Sequence, residues 1–244
     1  MALTLAGTTL ACRYAAKELR SLGIPVTEPL DPAAGQVLLD VPGFSPGGML
    51  RDGSPPDFSD FGDDTIFYGG NLHHPSLDRF QKVDFLRDPM YLAQNAAITA
   101  RCAAALCAPS VDHRWCGCPV LIIGWGRIGK CLGQQLRELG ADVTVAARKE
   151  ADRAMLRALG YHSAGCEYLS EIAGHYRVIL NTAPAPILGA EALDPLTGCV
   201  LMDLASSPGL EGSRVIRARG LPGKYAPEAS GTLIAETWLR LRKE

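Results

Sequence analysis

The stretch Val120-Leu-Ile-Ile-Gly-Trp-Gly-Arg-Ile-Gly129 decides how the rest of the chain is read. Its apolar start fits a strand buried on both faces, as in a parallel sheet. A Gly-x-Gly-x-x-Gly run follows at once, and Arg127–Leu139 continues as an amphipathic helix that stops at Gly140. Between a strand and a helix this run is the signature of a dinucleotide-binding turn. Gly124 permits the tight turn. Gly126 lets the backbone approach a pyrophosphate, where any Cβ would collide, and Gly129 lets the helix pack closely on the strand. Arg127 and Ile128 open the helix, whose free N–H groups and dipole favour an anion. The rival reading is a glycine-rich turn with no ligand. It accounts less well for a strand, turn, helix and second strand that all fall in register.

That second strand, Asp142–Ala147, selects the cofactor. A carboxylate about 20 residues after the first glycine would hold a ribose 2′-hydroxyl. The strand instead ends in Arg148-Lys149, and 148 − 124 = 24. A carboxylate repels a 2′-phosphate, whereas a guanidinium binds it in a forked geometry. NADP is therefore expected rather than NAD; the alternative is a solvated basic pair at a strand end.

Outward from the turn, strands and helices alternate. Further strands are expected at Arg177–Asn181 and Cys199–Ala205, and helices at Glu150–Leu159 and Glu167–Ala173. Such alternation predicts an α/β fold, a Rossmann-type doubly wound parallel sheet. Upstream, Leu3–Ala6, Val26–Glu28, Gln36–Val41, Thr65–Tyr68 and Lys82–Leu86 read as short strands, with a helix over Thr9–Leu22 closed by Gly23. Residues 42–63 are dense in Pro, Gly, Ser and Asp and read as a mobile loop. The expected division is a smaller, truncated N-terminal α/β domain (1–88) and a linking helix (89–110) begun by Asp88-Pro89. An NADP-binding domain (117–226) follows, then a C-terminal helix (227–244) that packs back. That helix, over Pro227–Lys243, carries an apolar stripe at Leu233, Ile234, Trp238 and Leu241.

Composition limits the function classes. The 244 residues carry 24 Lys+Arg against 26 Asp+Glu, with 47% hydrophobic and 20% charged. A disordered polymer and a coiled coil do not fit, and no basic excess marks a nucleic-acid binder. No apolar run reaches the ~18–20 residues that span a bilayer. Residues 1–16 lack the basic start of a signal peptide. The eight cysteines sit mostly in apolar runs, so they are read as reduced, buried small hydrophobes of a cytoplasmic protein. Cys116-Gly117-Cys118 is the only close pair, and no metal site is expected.

Five motifs in order give a resemblance: Gly124-Trp-Gly-Arg-Ile-Gly129, Val145-Ala-Ala-Arg-Lys149, Leu180-Asn-Thr-Ala-Pro184, Asp203-Leu-Ala-Ser-Ser-Pro-Gly209 and Leu221-Pro-Gly-Lys-Tyr-Ala-Pro227. Over roughly residues 82–244 the chain resembles the A subunit of dipicolinate synthase, a dehydrogenase of spore-forming bacteria. Residues 1–81 match as a shortened first domain. The resemblance implies NADP-dependent oxidation of dihydrodipicolinate to dipicolinate, partnership with a flavoprotein-like B subunit, and a site in the cleft between two domains. Asn181, Thr182, Ala183 and Pro184 would flank the dinucleotide crevice. Ser206 follows the next strand on the same edge, and Lys224, in the loop before the last helix, would meet a substrate carboxylate; an exposed surface lysine is the plain alternative. Asp203 reads as a structural acceptor rather than a proton carrier.

The linker helix departs from the family pattern. Asn95 and Thr99 match it, but Ile98 replaces Pro, Arg101 replaces Glu and Cys102 replaces Gly. The charge reversal at Arg101 would lie near the substrate cleft, either adding a carboxylate clamp or marking another substrate. The span between Ala205 and the strand-like Arg214–Ala218 is short for a parallel crossover, which predicts an irregular edge or an unpaired strand. His73-His74 offers a base at the cleft mouth, or else a structural pair. A truncated first domain leaves the pocket incomplete in one chain, so a homo-oligomer is expected. Two other functions stay open: a dehydrogenase of another small carboxylate, and a non-catalytic nucleotide-binding scaffold for a flavoprotein.

Overall fold

All paired strands in the computed structural model, which describes residues 2–242, run parallel, and they form two sheets. The chain divides into two compact units. The first comprises the described residues up to Ile98 and from Pro222 on; the second is Thr99–Leu221.

The first unit begins with β1 (Leu3–Leu5), α1 (Leu10–Ser21), β2 (Val26–Thr27), β3 (Gln36–Leu38), β4 (Ile66–Gly69) and β5 (Gln81–Asp84). Its sheet has the order β2-β1-β3-β4-β5. Thr9 caps α1, its hydroxyl accepting from the Cys12 N–H at 3.3 Å. Asp88 starts α2 (Pro89–Cys107) by accepting from the Tyr91 N–H at 2.7 Å. Residues 42–63 hold no helix or strand, in keeping with their composition, but the expected mobile loop is in fact packed down. Phe44, Leu50, Phe58 and Phe61 are buried in one cluster with Phe67 and Phe80. The Phe58 and Phe67 rings meet edge-on at 4.9 Å. Arg79 clasps the segment from outside, donating to the carbonyls of Ser59 at 2.9 Å and Phe61 at 2.8 Å. Here irregular chain covers a sheet face that a helix would otherwise cover.

The second unit contains β6 (Pro119–Ile123), α3 (Arg127–Glu138), β7 (Asp142–Ala146), α4 (Glu150–Ala158), β8 (His162–Ala164), α5 (Leu169–Ile172), β9 (Val178–Asn181), α6 (Ala190–Leu193), β10 (Val200–Asp203) and β11 (Ile216–Arg217). The sheet order is β11-β10-β9-β6-β7-β8, the doubly wound arrangement with its reversal between β6 and β9. Leu121, Ile123, Ile179 and Leu201 bury one face against Leu169, Ala173 and Leu193. Neither β8 nor α6 is expected from the residue pattern. Both are short, and His162-Ser163-Ala164 carries no apolar run to announce a strand.

The edge is irregular, as expected, but the alternative of an unpaired strand is corrected. β11 pairs with β10 through Met202–Ile216 and Asp203–Arg217. The span between them forms no helix. It lies instead along residues 187–188, with the Ile187 N–H donating to the Gly209 carbonyl and the Glu211 N–H to the Leu188 carbonyl, each at 2.8 Å.

The chain closes with α7 (Leu221–Tyr225) and α8 (Pro227–Leu241); Lys243 lies outside the described residues. In the first unit α8 packs on α1, and Leu233, Ile234 and Trp238 are buried. The two helices approach so closely that a Cβ at Gly231 would strike Tyr14 and stand 2.7 Å from the Ala11 carbonyl oxygen. Among the described residues no helix is long and apolar enough to cross a membrane. Gly231→Ala is expected to force α1 and α8 apart and lower stability by about 1–3 kcal/mol, measured as a fall in urea midpoint at unchanged slope.

Candidate functional site

The β6–α3 turn is built by close approach. Gly124 has φ +102°, a region that L side chains rarely adopt, and a Cβ there would lie 2.7 Å from Thr182 Oγ1. A Cβ on Gly129 would strike the Gly124 carbonyl oxygen. The Thr182 hydroxyl donates to the Ile123 carbonyl at 3.0 Å, tying the end of β9 to the end of β6. Gly126 differs from both. It precedes the first helical residue, and a Cβ added there would meet no atom within 4 Å. Protein packing therefore does not require a glycine at 126, and the space in front of it is open. The first turn of α3 carries no acidic residue, so no carboxylate of that turn competes for its free N–H groups.

This space belongs to a cleft of about 660 Å³ at the C-terminal ends of β6, β7 and β9. Gly124, Gly126, Thr182, Ala183, Pro184, Arg148 and Lys149 all line it. Arg148 and Lys149 are exposed on its rim. Arg153 braces the corner beneath them, donating to the carbonyls of Ala147 at 2.8 Å and Arg148 at 3.0 Å. Glu150 is turned away to Arg157 and Arg153, which hold its carboxyl below the usual range. Asp152 lines the cleft as well, although it belongs to none of the sequence motifs. Trp125 forms one wall, its ring edge-on to Tyr161 at 5.5 Å. Arg127, exposed, and Ile128, half-buried, sit in the first helical turn beside the cleft.

Asn181 occupies a different position from its neighbours. It is fully buried, with both ends of its amide engaged. Its Nδ2 donates to Asp203 Oδ1 at 3.0 Å and to the Ala183 carbonyl at 3.1 Å, while its Oδ1 accepts from the Ala183 N–H at 3.0 Å. Its place is beneath the loop, holding Thr182–Pro184 in position. Asp203, 2% exposed, is the hub of this brace. It also accepts from the N–H groups of Gly209 at 2.7 Å, Leu210 at 3.0 Å and Ala205 at 3.1 Å, and pairs with Arg217 at 2.8 Å. Burial pushes its carboxyl up, but the hydrogen bonds from Gly209, Leu210, Ala205 and Asn181 outweigh burial and hold it below the usual range. A Cβ on Gly209 would strike Asn181 Nδ2 and lie 2.6 Å from the Ala185 carbonyl oxygen, so this brace needs a glycine.

The remaining sequence candidates are not among the residues that line that cleft. Ser206 is exposed just beyond β10. Thr99 is buried and Asn95 half-buried on α2. Lys224 is exposed, on the short helix α7 rather than in a loop. Arg101 lines a shallow groove with Trp115, Gln135 and Leu139, separate from the glycine-loop cleft. His74 is structural. It caps the 3-10 turn at Pro75–Leu77 and stacks on Phe44 at 4.6 Å. Cys12, Cys102, Cys107 and Cys118 are buried and Cys116 is exposed; all eight thiols are free. Burial pushes Cys107 up to about 12 and Cys199 to about 11. Among the described residues no group of three or more His, Cys, Asp or Glu side chains is arranged to hold a metal ion.

Asp203 gives a test of the brace. Asp203→Ala strands several buried donors and should cost at least about 2 kcal/mol. A carboxyl held below its usual value stabilises the fold fully above the unfolded-state pKa and loses that contribution as pH falls through the folded-state value. The advantage of wild type over Asp203→Asn should therefore be constant near neutrality and shrink only below about pH 4, as read by urea unfolding across pH.

No family model matches the chain. It is 30% identical over 169 residues to the A subunit of dipicolinate synthase from Bacillus subtilis (strain 168). That alignment covers 66% of this chain and 57% of the relative, less than two thirds of the relative's length. In structure the chain matches the A subunit of dipicolinate synthase from Bacillus halodurans with a TM-score of 0.85 at 19% identity, over 99% of this chain and 97% of the other. The corresponding B. subtilis structure gives 0.82 at 20% identity, over 99% and 95%. A transhydrogenase from Sinorhizobium meliloti gives 0.71 at 16% identity, over 98% and 82%. The five ordered motifs and the alignment agree in likening the chain to the dipicolinate synthase A subunits, and the solved structures show that it shares their fold.

Proposed function

We propose that the chain is an NADP-dependent oxidoreductase that oxidises dihydrodipicolinate to dipicolinate in the manner its relative's name implies. One observation carries the reading: the open space before Gly126, at a helix start free of acid, with Arg148 and Lys149 on the rim of the same cleft. In this reading the first-turn N–H groups of α3, including those of Arg127, Ile128 and Gly129, hold the pyrophosphate. Arg148 and Lys149 hold the adenosine 2′-phosphate, which also explains why Glu150 is drawn off by two arginines. Thr182, Ala183 and Pro184 close the far side, positioned by Asn181. When bound, the dinucleotide supplies a hydride acceptor: dihydrodipicolinate loses a hydride to NADP⁺ and a proton to solvent, and the ring becomes aromatic. The protein then has to orient the ring and hold its carboxylates more than to supply a strong base. The exposed Lys224 and Ser206 offer a cation and a hydroxyl for that purpose, and Asn95 and Thr99 on α2 are proposed to contribute to positioning. Partnership with a flavoprotein-like B subunit, together with a homo-oligomeric state, belongs to the same proposal.

Quenching of Trp125 fluorescence on titration with NADPH and with NADH tests the binding, with tighter binding of NADPH expected. Arg148→Ala should weaken NADPH by about tenfold or more, the worth of a charged hydrogen bond, and leave NADH nearly unchanged. Gly126→Val should keep the fold, because no protein atom opposes the new side chain, and abolish binding of both dinucleotides. Turnover of dihydrodipicolinate with NADP⁺, with and without an added B subunit, tests the reaction; binding of NADPH without turnover under either condition sinks it.

A further inference from the structure

The cleft of the second unit holds a carboxylate that phosphate binding does not use. Asp152, in the first turn of α4, is half-buried and lines the cleft. Among the described residues its carboxylate takes part in no ion pair and no hydrogen bond. The charged residues around it are engaged elsewhere or stand on the rim. Glu150 pairs with Arg153 and Arg157, and Arg153 also holds the carbonyls of Ala147 and Arg148. Arg148 and Lys149 are exposed and pair with neither acid. Glu150 already supplies a negative charge that favours the start of α4, so Asp152 is not needed for that purpose. A carboxylate partly withdrawn from water costs free energy until it finds a donor. Because an ionised carboxylate only accepts, whatever occupies the cleft beside Asp152 has to bring the donor.

The rest of the lining narrows the choice of donor. In the strand order β9-β6-β7-β8, Asp152 follows β7 and Cys166 follows β8, on the side of β6 away from β9. Cys166 is half-buried and lines the same cleft. Burial pushes its thiol up, so it stays uncharged near neutrality. Ala147 at the end of β7, and Pro184 and Ile187 from beyond β9, add apolar side chains. The last of these is fixed in place, because the Ile187 N–H donates to the Gly209 carbonyl at 2.8 Å. A lone acceptor among apolar side chains suits a flat ring with a donor at its edge. With the pyrophosphate at the start of α3 and the 2′-phosphate at Arg148, the base is the part of the dinucleotide left for this end of the cleft. The exocyclic donor of adenine is its 6-amino group.

We propose that Asp152 is a specificity residue that accepts from the 6-amino group of the adenine, so that the cleft takes a 6-amino purine and rejects a 6-oxo purine. The inference rests on the NADP reading above and adds recognition of the base to it. An amino group donates to an acceptor-only carboxylate, whereas a 6-oxo group sets a second acceptor against it. A site built around a hydrogen bond rejects an analogue that cannot make it far more strongly than an apolar wall does. Arg148 and Lys149 remain available to the phosphate, because Asp152 pairs with neither.

Titration of Trp125 fluorescence with NADPH, with NADH and with the hypoxanthine analogue of NADPH, in which oxygen replaces the 6-amino group, tests it. The wild type should bind NADPH about tenfold or more tighter than the analogue, the worth of a charged hydrogen bond. Asp152→Asn, whose amide donates as well as accepts, should remove most of that preference. Asp152→Ala should weaken NADPH by about tenfold and remove the preference as well. Equal wild-type affinities for NADPH and the analogue, or a preference unchanged in both variants, overturn the role of Asp152 and leave the NADP reading standing. Weakening of NADH alone in Asp152→Asn, the sign of a carboxylate on a ribose hydroxyl, overturns it too. A wild-type chain that binds none of the three overturns the NADP reading and this role with it.

Discussion

The contact between the Gly124 carbonyl oxygen and the α-carbon of Gly129 is the constraint on which the second unit depends. No side chain fits between them, so the first turn of α3 rests directly on the end of β6. That contact sets the helix axis relative to the sheet and aims the unsatisfied N–H groups at the open space before Gly126. The three glycines therefore act differently. Those at 124 and 129 are demanded by the protein's own packing, and the one at 126 is not.

A second constraint keeps the opposite wall of the cleft in place. Where a helix would ordinarily cross from β10 to β11, a short irregular span runs along residues 187–188, and Asp203 holds it. The carboxylate collects donors from Ala205, Gly209, Leu210, Asn181 and Arg217. Through Asn181 it reaches the loop that carries Thr182 and Ala183. One buried charge, fully hydrogen-bonded, thus replaces the packing of a missing helix, and buried charge is tolerable only in that satisfied state. Asp40 plays a related part in the first unit, where a carboxylate meets the N–H groups at the start of α1. The start of α3 has no acidic residue in its first turn and open space before Gly126, while the start of α1 is satisfied by a carboxylate from within its own unit.

Much of this was legible in the residues. The alternation of strands and helices, the turn at 124–129 and the basic pair at 148–149 follow from periods and spacings confined to short windows. Local sequence governs such features directly: the reach of one strand and one turn fixes which residues share an edge. The elements that escaped notice, β8, α6 and α7, are too short to show a period. The packed state of residues 42–63 escaped for another reason. Phe44, Leu50, Phe58 and Phe61 are scattered among Pro, Gly and Asp, and only the partner faces of Phe67 and Phe80 reveal them as core.

Read alone, the sequence determined the fold class, the location of the glycine turn and the sign of the charge beside it, because each depends on residues close together along the chain. Tertiary structure decided the rest. It buried Asn181 beneath the crevice as a brace, directed Arg101 into a separate groove, paired β11 with β10, and brought His73 against Arg87. Those outcomes depend on which distant segments meet, and the burial, hydrogen bonds and charge that follow from such meetings are not written in any local pattern.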